Sequence, residues 1–273
     1  MKPWLKILIT IAVPVIVLIL LFRWNLWVGL AGLAVLLFII VYQLRAVYYS
    51  VQANGLYAKQ DWKGAAEHFG KAYQLGKRPG FLISQAFVLL KAGEPAEAAR
   101  LLEQVMSKPL NRGEDMNAKV NYALASWMLG RQEEAVRMME DIYPSYKTSI
   151  VYGNLGLFYV MRGELTRALE FNREAYEYND ADKTILDNLG LTYFMLGRYE
   201  EAKEIYEKLM ALKPTFAEAY YYFGLTLRQL GDAERSLEVM RQGLAYEPSM
   251  ITSVRREMLE EQISAWESDA GSR

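Results

Sequence analysis

The sequence has no cysteine and one histidine, His68. Without a thiol, a disulfide framework, a thiolate metal site and a cysteine nucleophile are all excluded. Residues 1–45 contain no Asp or Glu, and their only charged side chains are Lys2, Lys6, Arg23 and Arg45. Residues 46–273 therefore hold 27 Lys and Arg against 32 Asp and Glu. That mildly acidic remainder has no electrostatic draw toward nucleic acid. Also missing are a phosphate-binding loop, a His-Glu-x-x-His pair, a nucleophile elbow and a cluster of metal ligands. His68 is alone and reads as solvated. Acidic pairs such as Glu133-Glu134 and Glu200-Glu201 sit where helices open, and a carboxylate there complements the positive helix end. The expectation is a non-enzyme with no catalytic residue, no metal, no cofactor and no small-molecule substrate.

What the first 45 residues do have is apolar length. Ile7 to Phe22 is uncharged, and with Trp4 and Leu5 in front it reaches spanning length, Lys6 being long enough to reach the interface. Arg23, Trp24, Asn25 and Trp27 make a polar and aromatic break of the kind found at headgroup level. The uncharged run Leu26 to Leu44 follows. At ~1.5 Å per residue it spans roughly 28 Å, close to the thickness of a hydrocarbon core. Pro14 is tolerated in a membrane helix. The expected anchor is thus a transmembrane hairpin over residues 1–45, with spans of about 5–22 and 26–44. A cleaved signal peptide over the first run is the competing reading, but no small-residue cleavage site follows Phe22. Lys2 and Lys6 precede the first span, Arg45, Lys59 and Lys63 follow the second, and the connection holds only Arg23. The positive-inside rule then puts both ends in the cytoplasm. An integral protein of the plasma membrane is expected, its soluble part facing the cytoplasm.

Beyond residue 45 the sequence repeats. Gly163, Gly197 and Gly231 are spaced by 34 residues, as are Gly156, Gly190 and Gly224, and likewise Pro214 and Pro248. Each unit has a Gly-led turn between two amphipathic stretches of helical length, the pattern of an αα-hairpin. The eighth position is small throughout: Ala53, Ala86, Ala123, Gly156, Gly190, Gly224. So is the twentieth: Ala65, Ala98, Ala135, Ala168, Ala202, Ser236. Position 15 reads Gln60, Gly93, Gly130, Gly163, Gly197, Gly231. Small residues at matched places let two helices approach closely, and Gly just past a helix accepts a left-handed turn.

A 34-residue helical period with these positions resembles the tetratricopeptide repeat. The resemblance implies an all-α chain: two N-terminal transmembrane helices, then an α-solenoid of about six helical hairpins over 46–250. The units fall at about 46–78, 79–115, 116–148, 149–182, 183–216 and 217–250. The second is long because Lys108–Gly113 adds a loop, and the first lacks its turn Gly. Residues 251–273 are expected to be a capping helix and short tail, with Ile251, Val254, Met258, Leu259, Ile263 and Trp266 on its apolar face.

In that family the first helix of each hairpin lines a concave groove and presents unit positions 2, 5, 6, 9, 12 and 13. Carried over by register, position 6 is Asn121, Asn154 and Asn188. Position 9 is Leu124, Leu157, Leu191 and Leu225. Position 12 is Trp127, Val160 and Phe194, and position 13 is Met128, Met161 and Met195. The implied site is an apolar stripe beside a row of amides, suited to an extended peptide or amphipathic helix of a protein partner. The basic clamp of chaperone-binding members is not reproduced. The expected function is a membrane-anchored interaction scaffold. The alternative is a structural subunit of an envelope-biogenesis or secretion assembly, in which the transmembrane hairpin makes the decisive contacts through Gly29 and Gly32.

Overall fold

A computed structural model of the chain describes residues 3–271. Lys2, used above for orientation, lies outside the described residues, as does the very end of the expected tail. The described residues form fourteen α-helices joined by short turns. They divide into two compact units, one ending at Val88 and the other beginning at Leu89.

The first unit contains α1 (Pro3–Trp24), α2 (Leu26–Ala58), α3 (Trp62–Gly76) and most of α4 (Pro79–Lys91). One residue separates α1 from α2. Asn25 is extended and its side chain accepts from Trp27 N at 2.8 Å and Val28 N at 3.4 Å, capping α2. The two helices pack as a hairpin at glycines: a Cβ on Gly29 would lie 2.3 Å from the Phe22 ring, and one on Gly32 would lie 2.6 Å from Leu21. Pro14 stays inside α1. Of the described residues, α2 is the one helix long and apolar enough to cross a membrane, and only 6% of its most apolar window is buried. The first expected span falls partly on side chains outside the described set, and its described part, Ala12–Trp24, is apolar. The second expected span and the first expected hairpin are one object. Helix α2 passes Arg45 without a break and supplies Ala53, fully buried like its partner position Ala65 on α3.

The second unit holds the rest: α5 (Pro95–Met106), α6 (Arg112–Met128), α7 (Gln132–Ile142), α8 (Ser149–Met161), α9 (Leu165–Tyr178), α10 (Lys183–Met195), α11 (Tyr199–Ala211), α12 (Ala217–Gln229), α13 (Ala233–Gly243) and α14 (Arg256–Gly271). Its helices pair as hairpins: α6 with α7, α8 with α9, α10 with α11, α12 with α13. Helix α10 also packs on α8 and α12, so first helices stand side by side as a wall.

Every turn position of the period is left-handed, from φ 61° at Gln60 to φ 85° at Gly231. Every residue at the twentieth position is fully buried. Where the eighth residue is glycine, it faces a side chain on the hairpin's second helix. A Cβ on Gly190 would lie 2.9 Å from the Tyr206 ring, and one on Gly224 would lie 2.9 Å from Met240. Ser236 Oγ donates to the Gly224 carbonyl at 2.8 Å, tying the twentieth position to the eighth.

Two boundaries differ from expectation. Asn111 accepts from Glu114 N while Glu114 reaches back to Asn111 N, and this capping box starts α6 at Arg112, inside the expected loop. The C-terminal helix begins only at Arg256. Residues 249–253 are diverted before it by polar contacts to α12, described below. Val254, Leu259, Ile263 and Trp266 still close the end of this unit, packing with Ala217, Tyr221 and Met240.

Candidate functional site

The wall made by α8, α10 and α12 carries two adjoining cavities of about 220 and 180 Å³. The first is lined by Leu157, Val160, Met161, Leu191, Met195 and Tyr222, with Thr252 and Ser253 from the stretch before α14. The second is lined by Leu124, Asn154, Leu157 and Asn188, with Ser249, Met250 and Ile251. The structure thus brings Leu124, Asn154, Leu157, Met161, Asn188, Leu191 and Met195 together along the two cavities, with Leu124, Asn188 and Leu191 themselves buried. Met195 is 49% exposed, an apolar side chain offered to solvent at the rim.

Other residues expected in the groove have packing roles. Trp127 is buried and stacked on Phe158, the ring centroids 4.3 Å apart and nearly parallel. Asn121 is buried and Met128 half-buried. Phe194 packs between Tyr199 and Tyr222, and Leu225 joins the cluster under α14. The amides are also engaged within the protein. Asn188 Nδ2 donates to the Gly153 carbonyl at 2.7 Å, joining α10 to α8, and Asn154 Nδ2 donates to Ile150 O on its own helix. A first-helix asparagine here holds neighbouring hairpins together, which a period-based reading cannot separate from ligand recognition.

The groove also contains two carboxyls outside the set of residues expected to line it. Asp187 of α10 and Glu218 of α12 line both cavities, and both are buried. Register held a signal, because they stand at positions 5 and 2 of their units, both in the ligand-facing set. Ser249 N donates to Glu218 Oε2 at 3.1 Å and Ser249 Oγ donates to Oε1. These bonds draw residues 249–253 across the wall. Asp187 Oδ1, by contrast, has no hydrogen-bond partner in the protein. Burial, then the nearby Glu218 charge, push the Asp187 carboxyl well above the usual carboxylate range. Burial raises Glu218 too, against the Ser249 hydrogen bonds and the Lys91 charge, which pull it down.

No cluster of three or more His, Cys, Asp or Glu suited to a metal exists among the described residues. His68 is half-buried, its Nδ1 lying 2.8 Å from the Gly64 carbonyl. It is structural.

The sequence matches the family described as Tetratricopeptide repeat over residues 148–215 in one form and over 84–150 and 188–248 in another. Together these segments run from 84 to 248, more than half of the chain. The chain belongs to the tetratricopeptide repeat family. TPR domains are in general scaffolds for protein–protein interaction and are typically not enzymes. Solved structures show the same fold at low identity. The Cut9–Hcn1 hetero-tetramer of the APC/C is similar with a TM-score of 0.66 and 16% identity, covering 89% of this chain and 46% of that one. The pilF protein of Pseudomonas aeruginosa gives a TM-score of 0.58 and 16% identity, covering 74% and 91%. A thermophilic TPR protein of Thermus thermophilus gives 0.57 and 17%, covering 69% and 98%. No curated protein sequence matches the chain.

Proposed function

We propose that this TPR chain is a membrane-anchored adaptor that holds a peptide or amphipathic helix of a protein partner against α8, α10 and α12. The observation that carries the reading is the apolar surface around Leu157, Met161, Leu191 and Met195, which borders two open cavities. Concave sites lined by apolar side chains with a few polar groups suit ligand binding, and methionines adapt to more than one partner surface. Residues 249–253 already occupy one side of the groove, so a bound peptide lies beside that stretch or displaces it.

Anchoring is part of the same proposal. The exposed apolar length of α2, with α1 packed on it, suits a hairpin through the plasma membrane, residues 1–45 forming the anchor and residues 46–250 the solenoid. The distribution of basic residues favours a cytoplasmic solenoid. A reporter fused after the last residue tests this orientation, and activity on the far side of the membrane would refute it. The alternative, a structural subunit acting through its anchor, draws less support. Gly29 and Gly32, which would contact a foreign helix, already receive Phe22 and Leu21 of α1.

The test of the groove uses the full chain in native membranes, with a photocrosslinking residue in place of Met195 or, as a control, of the exposed Arg173 on α9. A discrete adduct from the first site only, lost with Leu157→Asp, is expected. Adducts indifferent to Leu157→Asp in a variant that still unfolds cooperatively would refute the groove.

A further inference from the structure

The geometry points to a socket for one cationic side chain, Lys or Arg, of the bound peptide, with Asp187 and Glu218 at its base and Leu157, Met161 and Leu191 as its walls. It rests on the groove reading above and adds what that groove selects.

Asp187 is only 7% exposed and Glu218 only 5%. Both line both cavities, so the two openings converge on the same pair of carboxyls. Glu218 is held by Ser249, whereas Asp187 Oδ1 is buried with no partner in the protein. A buried polar atom without a partner is costly, and natural folds rarely keep one without a use. A second carboxyl beside it makes the site worse for the protein alone and better for an incoming cation.

The walls suit the same ligand. A lysine or arginine stem is apolar and packs on leucine and methionine while its head makes ionic hydrogen bonds. Each cavity lies below the roughly 300–1,000 Å³ of sites that enclose a whole small molecule, which favours one side chain of a larger ligand. The charged or titratable groups facing Asp187 are Glu218 and Tyr222 on α12 and Tyr206 on α11, with Lys91 on the rim of the second cavity. Lys91 acts on Glu218 through its charge. The Tyr206 hydroxyl is itself buried without a partner. A bound cation favours the ionised carboxyl, so it opposes the upward push that burial and Glu218 give Asp187. Affinity for a cationic peptide therefore rises with pH through the range in which Asp187 is otherwise protonated.

The probe is an array of acetylated, amidated peptides of about nine residues, built from Leu, Ala and Gln, with Lys, Arg, norleucine or Glu at the centre. The full chain is presented in phosphatidylcholine nanodiscs, a neutral lipid that does not itself retain cationic peptides. About tenfold more retention of the Lys or Arg peptide than of the norleucine peptide is expected. Asp187→Asn should erase that preference and leave the norleucine peptide bound as before, with Glu218→Gln reducing it. Equal retention of Lys and norleucine peptides, or an unchanged preference in a folded Asp187→Asn variant, would overturn the socket and leave the groove standing. If Asp187→Asn does not fold, Glu218→Gln and the wild type decide: an unchanged preference in folded Glu218→Gln, or a wild-type preference that falls as pH rises above the usual carboxylate range, overturns the socket. Retention of no peptide at any pH would overturn the groove and the socket with it.

Discussion

The first 51 residues and the hairpins beyond them use the same apolar side chains in opposite ways. Among the described residues, large apolar side chains exposed beyond Val51 are Leu129, Ile150, Tyr178, Met195 and Leu212, and the others lie between Val13 and Val51. In the hairpins, Tyr206 and Met240 fill spaces left by glycine on a facing helix. In α1 and α2, glycines admit Phe22 and Leu21, but most of the apolar surface turns outward. Helix formation is local and succeeds in both regions. What differs is the solvent each surface suits, and that is decided by where the polar residues fall.

The sharpest way to break this comparison is to cut the same side chain in both regions. Leu189→Ala, in the core beside Tyr206 and Phe223, should cost about 3 kcal/mol or more in denaturant unfolding. Leu37→Ala, at a position 52% exposed, should change stability by less than about 0.5 kcal/mol. Similar losses at both sites would mean that α2 is packed like a core helix. Filling a contact should nearly match emptying one. Gly190→Leu drives a side chain into the Tyr206 ring and is expected to cost about 3 kcal/mol, read as a lower melting temperature by circular dichroism. An unshifted melt would show that the hairpins do not depend on close approach.

The pH dependence sharpens the contrast from within the hairpins. The Asp187 carboxyl titrates well above its unfolded value, so between those two values the folded chain binds more protons than the unfolded one. Stability then falls as pH rises through that window, and the penalty is complete above the folded value. In the free protein, Asp187→Asn should reduce this decline, leaving the part that the raised Glu218 carboxyl contributes, and raise stability at neutral pH, as urea titrations at several pH values would reveal. An unchanged decline in the variant would place the titrating group elsewhere. The smallest effect is expected at the turn of the first hairpin. Gln60 holds φ 61° where the other units have Gly, and Gln60→Gly should stabilise by about 1 kcal/mol. Gly197→Ala, at φ 72°, should cost a similar amount, both measured by chemical denaturation.

The hairpins were legible because their determinants are short-range and recur. A turn that needs a left-handed residue, and paired small positions that let helices touch, leave the same mark each time the period comes round. Even Gln60, where the other units have glycine, falls on the period. The groove was legible only as a set of positions. Register put Leu157 and Trp127 in equivalent families of sites, yet Leu157 borders a cavity and Trp127 is stacked on Phe158. That distinction depends on which ring a neighbouring hairpin supplies. Asp187 and Glu218 are separated by 31 residues, and only the pairing of α10 with α12 makes them neighbours. The path of residues 249–253 hangs on Glu218 in turn, so a periodic apolar face alone read it as the start of a helix. The early start of α6 had a local signal, Asn111 three residues ahead of Glu114, masked by the adjoining proline and glycine.

The unbroken course of α2 makes its two halves a single shaft. At ~1.5 Å rise and roughly 100° of turn per residue, its 33 residues extend about 50 Å with no joint to absorb torsion. Twisting the apolar half must turn Ala53 and the α3 helix seated on it by the same angle. One residue inserted near Arg45 would swing that seat by more than a quarter of a circle, while a seven-residue insertion would bring it almost back into line. The phase of this helix, as much as its hydrophobicity, is therefore something the sequence has to keep.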